Sequence, residues 1–140
     1  MRQLISLFFG VAVFCALPLA ATAEDADGQA IRGVIENQLQ AFQEDDGPRA
    51  FSYASPMIQR QFATPETFMT MVRRGYPSVY RPQAVEFRSL EFNDGFAVQE
   101  VFFLGPDGTP TLALYFMELQ EDGSWKINGV RMTEAPDEMV

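Results

Sequence analysis

The amino-acid sequence predicts an α+β domain whose N-terminal helices pack on an antiparallel four-stranded sheet. Three observations carry this reading. Apolar residues recur at helical spacing between Asp27 and Asp45. Proline follows a turn or capping residue at three places between residues 47 and 65, and three Asp-Gly turns punctuate the second half about one strand apart.

The chain starts with a leader. Met1-Arg2 is a short basic start, Leu4 to Leu19 is an apolar run, and Pro18 precedes the small residues Ala20 to Ala23. This is the three-part layout of a secretory signal peptide, with an A-x-A site at Ala21-Thr22-Ala23. An uncleaved anchor is the competing reading, since the run is close to the minimum that spans a bilayer. The expectation is cleavage near Ala23, a periplasmic or secreted product, and no stable membrane anchor afterwards. Lipid attachment at Cys15 is disfavoured by the bulky Phe14 before it. What remains, residues 24–140, is one domain's worth of chain.

Within it, Ile31, Val34, Ile35, Leu39 and Phe42 form one apolar stripe of a helix. Gly47-Pro48, Ser55-Pro56 and Thr64-Pro65 then open three short helices, because proline suits the first helical position and Ser55 and Thr64 can cap. The last of these is expected to end at Gly75 in the left-handed conformation. From Val79 the pattern changes. Strands are expected at Val85 to Phe92, Phe96 to Leu104, Thr111 to Gln120 and Trp125 to Met132, joined by turns at Asn93-Asp94-Gly95, Gly105-Pro106-Asp107-Gly108 and Glu121-Asp122-Gly123. Such short connections make a meander. Residues 132–140 are read as a flexible tail.

Both faces of these strands are partly apolar: Phe96, Val98 and Phe102 alternate with Ala97, Val101 and Phe103. A sheet with helices on one face normally shows water a polar second face. Curling of the sheet, a homodimer, or a pocket would each account for the second apolar face.

Charge and composition close several functional classes. The chain has 10 basic and 19 acidic residues, no histidine and one cysteine, for a net charge of −9. Losing residues 1–23 removes Arg2 and Cys15 and leaves 9 basic against 19 acidic residues, net −10. Such a surface repels nucleic acid and anionic lipid. Without thiolate or imidazole, the commonest nucleophiles, neutral-pH bases and transition-metal ligands are missing. The sequence has no GxSxG, Gly-rich phosphate loop, HExxH or CxxC pattern. The acidic turns lack the alternating carboxylates of a calcium loop, the methionines are too scattered for a thioether copper site, and Lys126 is the single lysine. No metal and no cofactor is expected.

The stretches Glu36 to Phe42, Asp45 to Phe51, Phe68 to Pro77, Gln99 with Val101, Tyr115 to Glu118 and Asp122 to Ile127 resemble an exported bacterial family known as a domain of unknown function (DUF4864), with an NTF2-like, cystatin-related cone fold. The resemblance implies N-terminal helices packed on a curved antiparallel four-stranded sheet, and no reaction. Ketosteroid-isomerase-like members of the wider fold use an acidic base and a tyrosine inside the cone, a chemistry that needs no histidine. By that comparison Glu100 or Glu118 would be the base and Tyr115 the hydrogen-bond donor of an isomerase or dehydratase.

The leading expectation is instead a non-catalytic domain that binds a small apolar or anionic ligand, or a partner protein. Tyr53, Tyr76, Tyr80, Gln99 and Tyr115 are the candidate cone-facing groups. Arg74 and Arg81 belong to a run with Arg60, Arg73 and Arg88 that is locally +3 against Glu66 and Glu86, and could clamp a carboxylate or phosphate. Each has an ordinary alternative: a solvated strand carboxylate, a core tyrosine, or a cation at a helix C-terminus. A processed chain without cysteine cannot depend on a disulfide. Its melting temperature is therefore expected to be the same with and without reductant, as calorimetry would read.

Overall fold

The computed structural model describes residues 15–16 and 22–134. Most of the expected leader, and residues 135–140 of the expected tail, lie outside the described residues. Among these, helices α1 (Ala23–Gln43), α2 (Gly47–Ser52), α3 (Pro56–Phe62), α4 (Pro65–Gly75) and α5 (Pro77–Tyr80) precede strands β1 (Ala84–Asn93), β2 (Phe96–Leu104), β3 (Pro110–Leu119) and β4 (Trp125–Glu134). The α+β architecture expected from the sequence is present.

Helix α1 starts a turn earlier than its apolar stripe suggests. Thr22 Oγ1 accepts from Asp25 N–H and Asp25 Oδ2 from Thr22 N–H, both at 3.2 Å, a reciprocal capping box that satisfies two otherwise orphaned donors. The helix buries Ile31, Ile35, Leu39 and Phe42 against the sheet, together with Gln38. Helices α2, α3 and α4 each carry proline in their first turn and are capped by Asp46, Ser55 and Thr64. At the first of these Asp46, rather than Gly47, supplies the cap.

Gly75 does not take the left-handed conformation expected of it. Pro77 disfavours a helical Tyr76, which adopts φ −135°, ψ 56°. The helix stops there and the chain restarts as the single turn α5, which sequence reasoning missed. Ser78 of α5 packs on the β2–β3 turn so closely that a Cβ on Gly105 would lie 2.7 Å from its Oγ.

The strands form an antiparallel meander in the order β1-β2-β3-β4. At the first hairpin Asp94 (φ 40°) and Gly95 (φ 78°) are both left-handed, as a two-residue turn matching the strand twist requires. β4 outlasts its expected end at Met132: Thr133 and Glu134 pair with Leu112 and Thr111, and Thr133 Oγ1 donates to the Leu112 carbonyl at 3.2 Å.

Two bulges bend the sheet. One lies in β1 between Phe87 and Leu90, the other in β4 opposite Phe116 and Met117. The inner face buries Ala97, Val101, Phe103, Ala113, Tyr115 and Met117 against the helices. Val98, Phe102, Leu112, Leu114 and Phe116 alternate with these onto the outer face, half-buried among themselves. Both faces are thus apolar, as the sequence pattern indicated.

Backbone hydrogen bonds tie the two halves together. Ile127 N–H donates to the Tyr53 carbonyl at 2.9 Å, and Ser55 N–H donates to the Ile127 carbonyl at 2.8 Å, a short parallel bridge on the edge of β4. Ser55, fully buried, donates its hydroxyl to Asn128 Oδ1 at 2.7 Å and accepts from Ile58 N–H at 3.3 Å as the cap of α3. Lys126 Nζ donates to the Ser52 carbonyl at 2.7 Å. At the far end Trp125 Nε1 donates to Asp27 Oδ1 at 3.1 Å. Ser55→Ala removes both a helix cap and a buried bond, so we expect it to destabilise the domain by about 2 kcal/mol in urea unfolding.

Candidate functional site

A cavity of about 280 Å³ lies between α1, α3, α4, α5 and β4. Its wall is made by Phe42, Ile58, Phe62, Phe68, Met71, Val72, Val79, Ile127 and Val130, with Gln38, Gln61 and Tyr76 as its polar side chains. Among the described residues no charged one lines it. The local sequence explains this wall. Phe68, Met71 and Val72 share one face of α4, and Ile58 and Phe62, four residues apart, share one face of α3. Phe68 packs against Phe42, Phe51 and Phe62 with ring centroids 6.2, 5.3 and 5.8 Å apart. Gln38, buried on α1, donates to the Ala50 carbonyl at 3.1 Å, and Tyr76 donates to the Val130 carbonyl at 3.3 Å.

Of the residues proposed from the sequence to bind a ligand, only Tyr76 lines this cavity. Tyr53 packs against the core, and its hydroxyl lies beside Arg49, whose proton affinity it raises. Gln99 fills the β1 bulge, where its Nε2 lies 3.1 Å from the Arg88 carbonyl, 3.2 Å from that of Ser89 and 2.9 Å from that of Glu100. Arg74 is exposed at a shallow surface on α4 with Glu66, Thr67 and Thr70.

Glu100 and Glu118 require a correction. In the isomerase alternative, Glu100 or Glu118 would face the cone interior beside Tyr115. Strand alternation places them on the outer face instead, opposite to Tyr115. Glu100 accepts from the Ser89 hydroxyl at 3.1 Å and Glu118 from the Gln120 amide at 3.1 Å. The acid and tyrosine of an isomerase-like pair are therefore on opposite sides of one sheet. Because both strand faces are apolar, hydrophobic alternation could not assign the side.

Tyr115 is fully buried and packs 6.4 Å from Phe103. Its hydroxyl has no hydrogen-bond partner among the described residues, and burial raises its pKa.

The arginine–tyrosine clamp exists, but it already holds a carboxylate of the same chain. Asp45, at the end of α1 with φ 52°, accepts from the Tyr80 hydroxyl and pairs with Arg81 Nη2 at 3.1 Å and Arg73 Nη2 at 3.9 Å. Arg81 also donates to the Phe42 carbonyl at 2.5 Å and stacks 4.1 Å from the centre of the Tyr80 ring. The Tyr80 hydrogen bond, then the charges of Arg81 and Arg73, hold the Asp45 carboxyl below its ordinary 3.8. The signal in the sequence was Asp45 itself, an acid at a helix end. Its contact with residues 80 and 81 depends on how the chain folds back through α5.

Among the described residues no cluster of acidic or other ligating side chains could hold a metal ion, and no helix is long and apolar enough to cross a membrane.

Together these features define a small α+β domain with an uncharged cavity between its helices and its sheet. The chain belongs to the family described as Domain of unknown function (DUF4864), whose match runs over residues 24–140. No curated protein matches it. Among solved structures it is similar to that of an NTF-2 like protein of unknown function from Burkholderia xenovorans LB400, at 15% identity and a TM-score of 0.48, over 79% of this chain and 90% of that one.

Two outcomes are expected. A lowered folded-state pKa gives stability that is complete above the unfolded value and is lost as pH falls through the folded one. The stability difference between the protein and Asp45→Asn should therefore be largest near neutrality and shrink on acidification through 3.8 and below, as urea unfolding across pH would read. Tyr115→Phe deletes a buried hydroxyl that has no partner, so it should leave stability unchanged or raise it by up to about 1 kcal/mol.

Proposed function

We propose that this is an exported, non-catalytic domain that holds a small, uncharged, apolar molecule in the cavity between α3, α4 and β4. The observation that carries this reading is the wall itself, apolar on every side and closed by only three polar side chains, all neutral. Ligand sites are typically concave, apolar and equipped with a few polar groups that set orientation. At about 280 Å³ the space is roughly twice that of a cavity known to take up benzene. A molecule of two or three fused rings, or a branched chain of similar bulk, fits that size.

An anionic ligand is the weaker half of the expectation. A buried carboxylate needs a paired cation, none of the cavity's described lining residues is charged, and Arg73 and Arg81 are engaged by Asp45. The non-catalytic reading rests on Glu100 and Glu118 lying across the sheet from Tyr115. Export to the periplasm or beyond rests on the leader pattern and on the coincidence between the A-x-A site and Glu24, where the family match begins.

The test uses 1-aminoanthracene, a neutral fluorescent tricycle. Saturable fluorescence enhancement and a melting temperature raised by several degrees are expected, with both lost in Met71→Trp, which fills the cavity from α4. No saturable binding, or binding unaltered in Met71→Trp, would reject the cavity as the site. For export, intact mass of protein from the envelope of its own host should correspond to a chain beginning at Glu24.

A further inference from the structure

The three polar side chains that border the cavity differ in what they have left to bond. Gln61 is exposed and has water for a partner. Tyr76 donates its hydroxyl proton to the Val130 carbonyl at 3.3 Å, which leaves that oxygen only lone pairs to offer. Gln38 is 3% exposed, and its Nε2 donates to the Ala50 carbonyl at 3.1 Å.

That last bond fixes which way the amide points. A carbonyl can only accept, so nitrogen is the end turned to Ala50 and oxygen the end turned away from it. Ala50 belongs to α2, which supplies none of the described wall residues, whereas Gln38 borders the cavity. Its Oε1 accepts no hydrogen bond among the described residues. Nor is this oxygen sealed in, as the unpartnered Tyr115 hydroxyl is.

From this arrangement we infer, resting on the cavity as the ligand site, that the bound molecule carries a hydroxyl or N–H group and donates it to Gln38 Oε1. The ligand class narrows from apolar molecules in general to neutral alcohols, phenols and N–H heteroaromatics.

The physical reason is desolvation of that oxygen. Water can satisfy Oε1 until a ligand takes its place, and a ligand that does not donate leaves a buried acceptor unpaired. A hydrocarbon does so. A ketone or ester adds further lone pairs beside those of Gln38 and Tyr76. An ammonium could donate, but among the described residues no carboxylate lines the wall to offset its burial. The acceptor is also held in place beforehand by its bond to Ala50, so little side-chain freedom is lost on binding. The donor end of the ligand then lies against α1, with its apolar body among the side chains of α3 and α4.

Isothermal titration calorimetry of the full chain at pH 7, with 2-naphthol and 2-methylnaphthalene as probes, tests this. The two are nearly alike in shape and both uncharged, but only 2-naphthol can donate. It is expected to bind about tenfold more tightly, the worth of one hydrogen bond, although the methyl compound is the more apolar. Gln38→Met keeps the length of the side chain and should abolish the preference. Because Gln38→Met also loses the bond to Ala50, its affinity for 2-methylnaphthalene checks that the cavity survives, and the comparison on the unaltered protein stands whether or not the variant folds. Equal affinities in the unaltered protein, or tighter binding of the methyl compound, would overturn the inference and leave the cavity as an apolar ligand site. Binding of neither compound would overturn the cavity reading along with it. A preference that survives Gln38→Met and disappears in Tyr76→Phe would overturn the assignment to Gln38.

Discussion

The short bridge between Tyr53–Ser55 and Ile127 is the contact on which the rest of the structure depends. Much of the helix–sheet contact is non-directional apolar burial, which tolerates sliding, and the other directional ties, from Trp125 to Asp27, Lys126 to Ser52 and Tyr76 to Val130, come from side chains. The bridge fixes one register with two backbone bonds, and Ser55 couples it to the cap of α3 through a hydroxyl that serves β4 and the helix at once. Where α3 begins is thereby set by where β4 runs. Since α3 and β4 both line the cavity, the bridge helps to set the space between them.

A second clasp closes the other side. Asp45 ends the first helical hairpin and reaches Tyr80 and Arg81, which flank the end of α5. The nearby Tyr76 and Val79 face the cavity. Arg81 and Arg73, part of the arginine run that resembled a ligand clamp, therefore work as an internal clasp at the end of a one-turn helix. The same chemistry, a guanidinium and a phenol around a carboxylate, serves the fold because the carboxylate arrives on the same chain.

Local signals carried most of the fold. Prolines preceded by a turn or capping residue marked α2, α3 and α4, and Asp-Gly pairs marked the hairpins, because each imposes its backbone geometry over two or three residues. What was not legible is non-local. The inward or outward direction of Glu100 and Glu118 depends on which strand face meets the helices, and two apolar faces leave that undecided. The roles of Gln99 and Asp45 depend on partners eleven and thirty-six residues away. Of the cavity's lining, the cone-facing candidates included Tyr76 alone. The burial of Gln38 depends on its bond to the Ala50 carbonyl, twelve residues on.

The sheet has two edges, and they are treated differently. That of β4 is covered by residues 53–55. That of β1 has no neighbouring strand among the described residues, but it is broken by a bulge that Gln99 holds in place, and it carries Glu86, Arg88 and Glu91. A bent, charged edge is a poor template for an incoming strand. The bulge that bends β1 thus has a colloidal consequence: it disfavours growth of a chain with apolar strands by edge-to-edge strand addition.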